Sequence, residues 1–370
     1  MKPPRSRLAF GDAHVDQLIT QALASVGSDE NDDLVRALLV TAFDMDAANI
    51  DRLELKIAAQ ALAEMLTGWE TFSPYRTHAK VSVFGSARSE PEHPDYALAV
   101  EFGHIMAQRR WMVITGAGPG IMTAGIEGAG AHNSFGVNIA LPFEQAAADI
   151  IADDPKLATF KYFFTRKLTF MKESDAFALF PGGFGTLDEA FELLTLVQTG
   201  KTYPTPIVLI DHAKSTYWAN WRRFVHDELL DRSMVSAADM DLVHHTHNPH
   251  EAADRLCDFY SCYHSLRYVG NRLILRLNAQ LAESAIDKLN DEFGDLVEYG
   301  RIETTSASDA ELEDDDHVGL DRIALRFNQH SFSRLVKMIH RINELSGRSE
   351  RNATEGLIHD VSPDPVPQTF

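Results

Sequence analysis

Short apolar runs alternating with amphipathic helices, and a glycine-rich turn where several of those runs meet the next helix, predict an α/β fold: a Rossmann-like, doubly wound parallel sheet. Helical periodicity ahead of the first run predicts an N-terminal helical extension. A change of rhythm near residue 263 predicts a small C-terminal α+β module of ferredoxin-like order. The boundaries read as 1–75 for the extension, 76–262 for the Rossmann-like core and 263–346 for the module, with a disordered Pro-, Ser- and charge-rich tail at 347–370.

In the extension, Val15, Leu18, Ile19 and Leu23, then Leu34, Leu38 and Leu39, then Leu53, Ile57, Leu62 and Leu66 recur at helical spacing. Nothing there looks catalytic. In the core, strand-like runs at 81–84, 112–115, 136–141, 176–180 and 206–210 are separated by helical patterns at 96–109, 121–131, 163–171 and 184–197. Glycine turns follow the first, second and fourth runs, which puts them at the carboxyl ends of parallel strands, where ligands bind in such sheets. The module reads as strand 272–277, helix 280–293, strand 296–305, an acidic loop 311–316, strand 323–327 and helix 332–345. It carries no phosphate turn and no clustered acid/base set, so either a regulatory or assembly role or a structural buttress for the oligomer is expected.

The chain has 370 residues, 45% of them hydrophobic, enough to bury a large core. Asp and Glu number 54 against 34 Lys and Arg, a formal charge of −20, which argues against general binding to nucleic acid or a membrane surface, both polyanions. Two cysteines, Cys257 and Cys262, read as facing different sides of a helix, so neither a disulfide nor a zinc site is suggested. No apolar run reaches membrane-spanning length and the first residues lack a signal-peptide core, so a cytoplasmic location is expected.

The richest stretch is Phe180-Pro181-Gly182-Gly183-Phe184-Gly185-Thr186-Leu187-Asp188-Glu189. Gly182, Gly183 and Gly185 let the backbone close on a bound group, and the free N–H groups of the new helix make an anion site. Thr186 can cap that helix or donate to a phosphate oxygen, and Glu189 adds a carboxylate one turn along. Upstream, Arg166 sits where it can reach a ligand at that turn from the side, while Lys167 reads as a solvated helix face. Gly116-x-Gly118-x-Gly120 follows a strand but has the wrong spacing for a dinucleotide fingerprint, and no acidic residue stands about 20 positions on. Gly200-Lys201-Thr202 copies the end of a P-loop but closes a helix where it should open one. His244-His245-x-His247-x-x-His250 reads as a polar surface loop, without the helical spacing that fixes two imidazoles on a metal. Neither a metal nor a cofactor is expected.

Taken together, Gly85-Ser86-Ala87-Arg88, the Gly116–Gly120 turn, Arg166-Lys167-x-x-x-Met171 and the Pro181–Glu189 stretch resemble the LOG ("lonely guy") family of phosphoribohydrolases. Its members cleave nucleoside 5′-monophosphates, including cytokinin ribotides, to free base and ribose 5-phosphate. The resemblance spans about residues 78–260, and Asn138-Ile139-Ala140-Leu141-Pro142-Phe143-Glu144-Gln145 is similar to the longer bacterial members. It implies Arg166 and Glu189 as the catalytic pair. Gly85, Ser86, Arg88, Gly116, Gly118, Gly120, Met122, Gly182, Gly183, Gly185 and Thr186 would hold the nucleotide. It also implies a homodimer or higher homo-oligomer. The family's older lysine decarboxylase label finds no support, since no lysine stands in a pyridoxal phosphate setting. The competing expectation is a non-catalytic nucleotide sensor or carrier on the same fold.

Overall fold

The computed structural model describes residues 7–27, 31–141 and 148–347. The expected disordered tail, apart from Gly347, and the Pro142–Gln145 part of the family resemblance fall outside them.

Residues up to Leu66 form one compact unit. Helix α1 (Ala13–Val26) starts where the Asp12 carboxylate accepts the N–H groups of His14 and Val15, and stops at the left-handed Gly27. Helix α2 (Asp32–Ala47) packs on it through Ile19, Leu23 and Val40, and α3 (Arg52–Phe72) follows.

The second unit, from Thr67 on, contains both sheets. The large sheet has seven strands: β1 (Lys80–Phe84), β2 (Met112–Thr115), β3 (Ser134–Ile139), β4 (Leu157–Phe160), β5 (Ala176–Leu179), β6 (Ile207–Ile210) and β7 (Val243–Thr246). They are all parallel, in the order β4-β3-β2-β1-β5-β6-β7. The order reverses between β1 and β5, so the crevice of a doubly wound sheet opens over the carboxyl ends of those two strands. Every residue of β1, β2, β5 and β6 is buried, as expected of inner parallel strands covered on both faces.

The connecting helices are α4 (Pro94–Gln108), α5 (Ile121–Ala129), α6 (Phe163–Glu173), α7 (Phe184–Gln198), α8 (Tyr217–Phe224) and α9 (Pro249–Asp258). Helix α4 lies between α5 and α9. It approaches α5 so closely that a Cβ at Gly128 would overlap the backbone carbonyl of Val100. Helix α7 ends as the sequence implies: Gly200 adopts φ 67° two residues past Gln198, and the resemblance of Gly200-Lys201-Thr202 to a P-loop is a helix stop.

The small sheet is antiparallel, in the order β10-β11-β9-β8, built from β8 (Tyr263–Val269), β9 (Arg272–Leu277), β10 (Glu303–Thr304) and β11 (Asp321–Leu325). Helices α10 (Glu283–Phe293), α11 (Asp309–Glu313) and α12 (Phe332–Ser346) complete it. The βαββα order is present from β9 to α12, and the fourth strand, β8, comes from upstream. Of the expected strand at 296–305, only Glu303 and Thr304 pair in the sheet as β10, besides a single bridge from Val297 to Phe327.

One hydrophobic core runs through both sheets, from Val81 and Phe177 to Tyr263, Leu275 and Ile339. Asn343 on α12 pins the joint: its side chain accepts the N–H groups of Cys262 (3.0 Å) and Tyr263 (2.9 Å) and donates to the Phe259 carbonyl (2.6 Å). Cys257 and Cys262 are both free and buried there, and α9 ends before the second of them.

Candidate functional site

The turns after β1, β2 and β5 meet at the switch point. The N–H of Ser86 donates to the Pro181 carbonyl (3.0 Å), which ties the Gly85–Arg88 turn to the Pro181–Gly185 turn. The Ser86 carbonyl in turn accepts the N–H of Ile121, the first residue of α5 (3.0 Å). That contact needs Gly120, whose φ of 70° and missing Cβ let the chain pass directly over the Ser86 carbonyl. The Ser86 hydroxyl accepts the backbone N–H of Arg88 (3.0 Å), and the Arg88 side chain is exposed. Met122 folds its thioether back over Gly116 and Gly118.

Arg166 enters from α6. Its Nε donates to the Val137 carbonyl on β3 (2.8 Å), and its guanidinium lies against Gly116, where any Cβ would overlap it. Arg166 is thus fastened beside the β2 turn, and from there its charge reaches Glu189.

Helix α7 begins at the β5 turn with Gly183 as its N-cap and no side chain bonded to its first N–H groups. Those groups face an exposed turn, an arrangement suited to an anion. Thr186 does not cap the helix. It is buried within the first turn, its side chain lying against Gly182 in the space that a Cβ there would fill. Tyr217 at the start of α8 donates its hydroxyl to the Gly182 carbonyl (2.6 Å) and so fixes the turn from the far side. Nothing in the order of residues marked Tyr217; the contact spans 35 positions.

Glu189, in the second turn of α7, is 5% exposed, and its Oε2 is buried without a hydrogen-bond partner from the protein. Burial raises its pKa from 4.5 to about 7, against the opposing pull of Lys167 and Arg166. A carboxyl poised at neutrality with an unengaged oxygen is suited to exchange a proton or face a developing cation.

Lys167 corrects the expectation of a solvated face. Its side chain is 13% exposed, and the ammonium bridges Asp188 (2.8 Å) and Glu192 on α7, the latter in a very short contact. It holds α6 against the helix that bears Glu189. The reason is the helical spacing of Asp188 and Glu192, which puts both carboxylates on one face of α7.

The fold and this site define a doubly wound α/β protein whose glycine turns gather around a buried, near-neutral carboxylate. The chain belongs to the LOG family: it is 30% identical over 176 residues to a cytokinin riboside 5′-monophosphate phosphoribohydrolase of Mycobacterium tuberculosis, covering 44% of this chain and 89% of that one. A protein of the same name from Arabidopsis thaliana is 24% identical over 161 residues, covering 42% and 71%. The family described as "possible lysine decarboxylase" matches residues 119–256. Among solved structures, a molybdenum cofactor binding protein from Rippkaea orientalis aligns with a TM-score of 0.32 at 20% identity, covering 48% of this chain and 93% of that one. A molybdenum cofactor carrier protein from Chlamydomonas reinhardtii aligns with a TM-score of 0.33 at 20% identity, with the same coverage. Among the described residues, no helix is long and apolar enough to cross a membrane.

Proposed function

We propose that the chain hydrolyses the N-glycosidic bond of nucleoside 5′-monophosphates, AMP-like or cytokinin ribotide, to free base and ribose 5-phosphate. The observation that carries this reading is Glu189: a buried carboxyl with an unengaged oxygen and a pKa of about 7, one turn beyond an uncapped, glycine-rich helix start. A nucleotide carrier needs the anion site but has no use for that carboxylate.

In this reading the 5′-phosphate binds the N–H groups at the start of α7, with Gly182, Gly183, Gly185 and Thr186 around it and the Gly85–Arg88 turn beside it. Binding energy from the phosphate, remote from the reacting bond, holds the ribose in place. Cleavage builds positive charge on the ribose ring, as in glycoside hydrolysis. The Glu189 carboxylate stabilises that charge and takes the proton of the water attacking C1′, while the C1′–N bond breaks with its electron pair going to the base, which takes up a proton from solvent. Arg166, after Lys167, favours the ionised form of Glu189 against the effect of burial, and it offers a guanidinium fork to the ribose or phosphate oxygens.

Purified protein incubated with AMP, pyrimidine monophosphates and N6-prenylated AMP is expected to release free base and ribose 5-phosphate from at least one of them. No release across that panel would refute the hydrolase. The active form in this proposal is a homodimer. Phe163, Phe164 and Leu168 on α6 and Phe191 on α7 are exposed, and Phe184, next to the phosphate turn, is 94% exposed. Aromatic side chains in that density on adjoining helices fit a contact between copies better than a solvated face. A monomer by light scattering at micromolar concentration would refute the dimer.

A further inference from the structure

The four histidines at 244–250 are not a surface loop. His244 and His245 lie on β7, the edge strand, paired with Val208 and Leu209 of β6. Strand alternation puts His245 and His247 on the same side. The pairing of Ile210 with Thr246 brings the next residue of β6's chain, Asp211, beside them. The His245 Nε2 lies 2.8 Å from Asp211 Oδ1, and the His247 Nδ1 lies 2.9 Å from the same oxygen while hydrogen-bonded to the Asp211 main-chain carbonyl (2.9 Å). The Asp211 side chain is fully buried, and its other oxygen, Oδ2, accepts the N–H of Trp218. His244 and His250 face different carboxylates: His244 Nε2 lies 2.8 Å from Glu251, and His250 Nε2 lies 3.6 Å from Glu101.

We propose that Asp211, His245 and His247 form a binding site for one divalent transition-metal ion, with Zn²⁺ as its occupant. The three ligand atoms lie within 4.8 Å of one another. A tetrahedral ion with bonds of about 2.0–2.2 Å separates its ligand atoms by about 3.3–3.6 Å, so each His–Asp211 distance widens by roughly half an ångström and the two ring nitrogens settle at the same separation. Two imidazoles and a carboxylate suit Zn²⁺ better than the hard cations Mg²⁺ and Ca²⁺. His247 is 43% exposed, so the fourth position opens toward solvent. Binding breaks the hydrogen bond of His245 with the Asp211 carboxylate and that of His247 with the Asp211 main-chain carbonyl, and forms three coordination bonds. With neutral rings no net proton leaves: the N–H of His245 moves to Nδ1 and that of His247 to Nε2. With charged rings one proton leaves from each, so affinity falls in acid.

The ion would brace the sheet edge next to the candidate active site. Asp211 also anchors the first turn of α8 through Trp218, and the neighbouring Tyr217 holds the Gly182 carbonyl. The site thus stiffens the support of the phosphate turn without supplying a group to the reaction.

The test uses the untagged full-length chain, stripped with EDTA and titrated with ZnCl₂ by calorimetry and with CoCl₂ by visible absorption. One equivalent is expected to bind, with the d–d bands of tetrahedral Co²⁺ and a higher Tm that EDTA reverses. His247→Ala and His245→Ala are each expected to weaken binding at least about tenfold. His247, being exposed, provides the variant whose fold is safe, and circular dichroism of both in EDTA checks this. His226→Ala is expected to change nothing, although His226, Asp227 and Asp231 also cluster on the surface. Absence of stoichiometric binding would overturn the proposal. So would binding that survives loss of both His245 and His247, or that depends on His226.

Discussion

The burial of Glu189 that the proposed hydrolysis calls for works against stability. The folded carboxyl keeps its proton to about pH 7, whereas in the unfolded chain it loses it near 4.5. Across that window the folded state binds the extra proton, so stability falls as pH rises, and the full deficit, about 3 kcal/mol, is reached above pH 7. Glu189→Gln is expected to abolish hydrolysis while keeping nucleotide binding. Its Tm relative to the unsubstituted protein should climb between pH 5 and pH 8. A pH-independent Tm difference would contradict the buried, proton-holding carboxyl. Because Glu189 acts as a carboxylate, kcat/KM should rise with pH to a plateau above about 7. Lys167 is the strongest group opposing the effect of burial on Glu189. Lys167→Met should therefore move the rising limb to higher pH and also leave Asp188 and Glu192 unneutralised beside the site. An unmoved limb would show that Lys167 only staples α6 to α7.

At the scale of elements, the site is held by close helix and turn contacts more than by strong bonds. Helix α5 starts on the Ser86 carbonyl at one end and packs into α4 at the other, where Gly128 meets Val100 and Gly103 meets Gly125. A methyl at Gly128 has no space, since the obstacle is backbone and cannot rotate away. Gly128→Ala should destabilise the protein by about 1–3 kcal/mol and, by tilting α5, weaken nucleotide binding as well. Denaturant unfolding together with a binding isotherm checks both. Stability equal to that of the unsubstituted protein would mean that α4 and α5 part without strain.

At the scale of the molecule, the second sheet is not an appendage. The core passes from β5 and β6 into β8, β9 and α12 without a break. Gly200 at the end of α7 lies under the ring of Phe332, and Tyr260 donates to the Asp175 carbonyl (2.7 Å) at the entry of β5. Asn343→Ala would leave two buried N–H groups and one carbonyl unpaired, so a loss of about 3 kcal/mol or more is expected, read as a lower Tm with one cooperative transition. Two separate transitions would instead mean that the sheets fold independently. Cutting the chain before β8 would bare Phe259, Tyr260 and Cys262, so a truncated core should aggregate where an independent domain would stay folded.

The sequence determined the inner architecture and the site motifs. Inner parallel strands are apolar along nearly their whole length (176–180 throughout, 81–84 but for the buried Ser82), and the glycine turns stand at their ends, where the backbone must approach another turn. The strands it did not mark, β4, β7 and β8, are all sheet edges. One side of an edge strand is free of backbone pairing, so polar residues such as His244, His245, Ser265 and Arg267 break the apolar run. Glu189 and Arg166 could be named from their spacing and resemblance. Tertiary structure alone decided the rest: the near-neutral pKa of Glu189, the burial of Lys167 between two carboxylates, the grip of Tyr217 on Gly182, and the meeting of Asp211 with His245 and His247. Each depends on dielectric or on contact between residues far apart in the chain, and local order encodes neither.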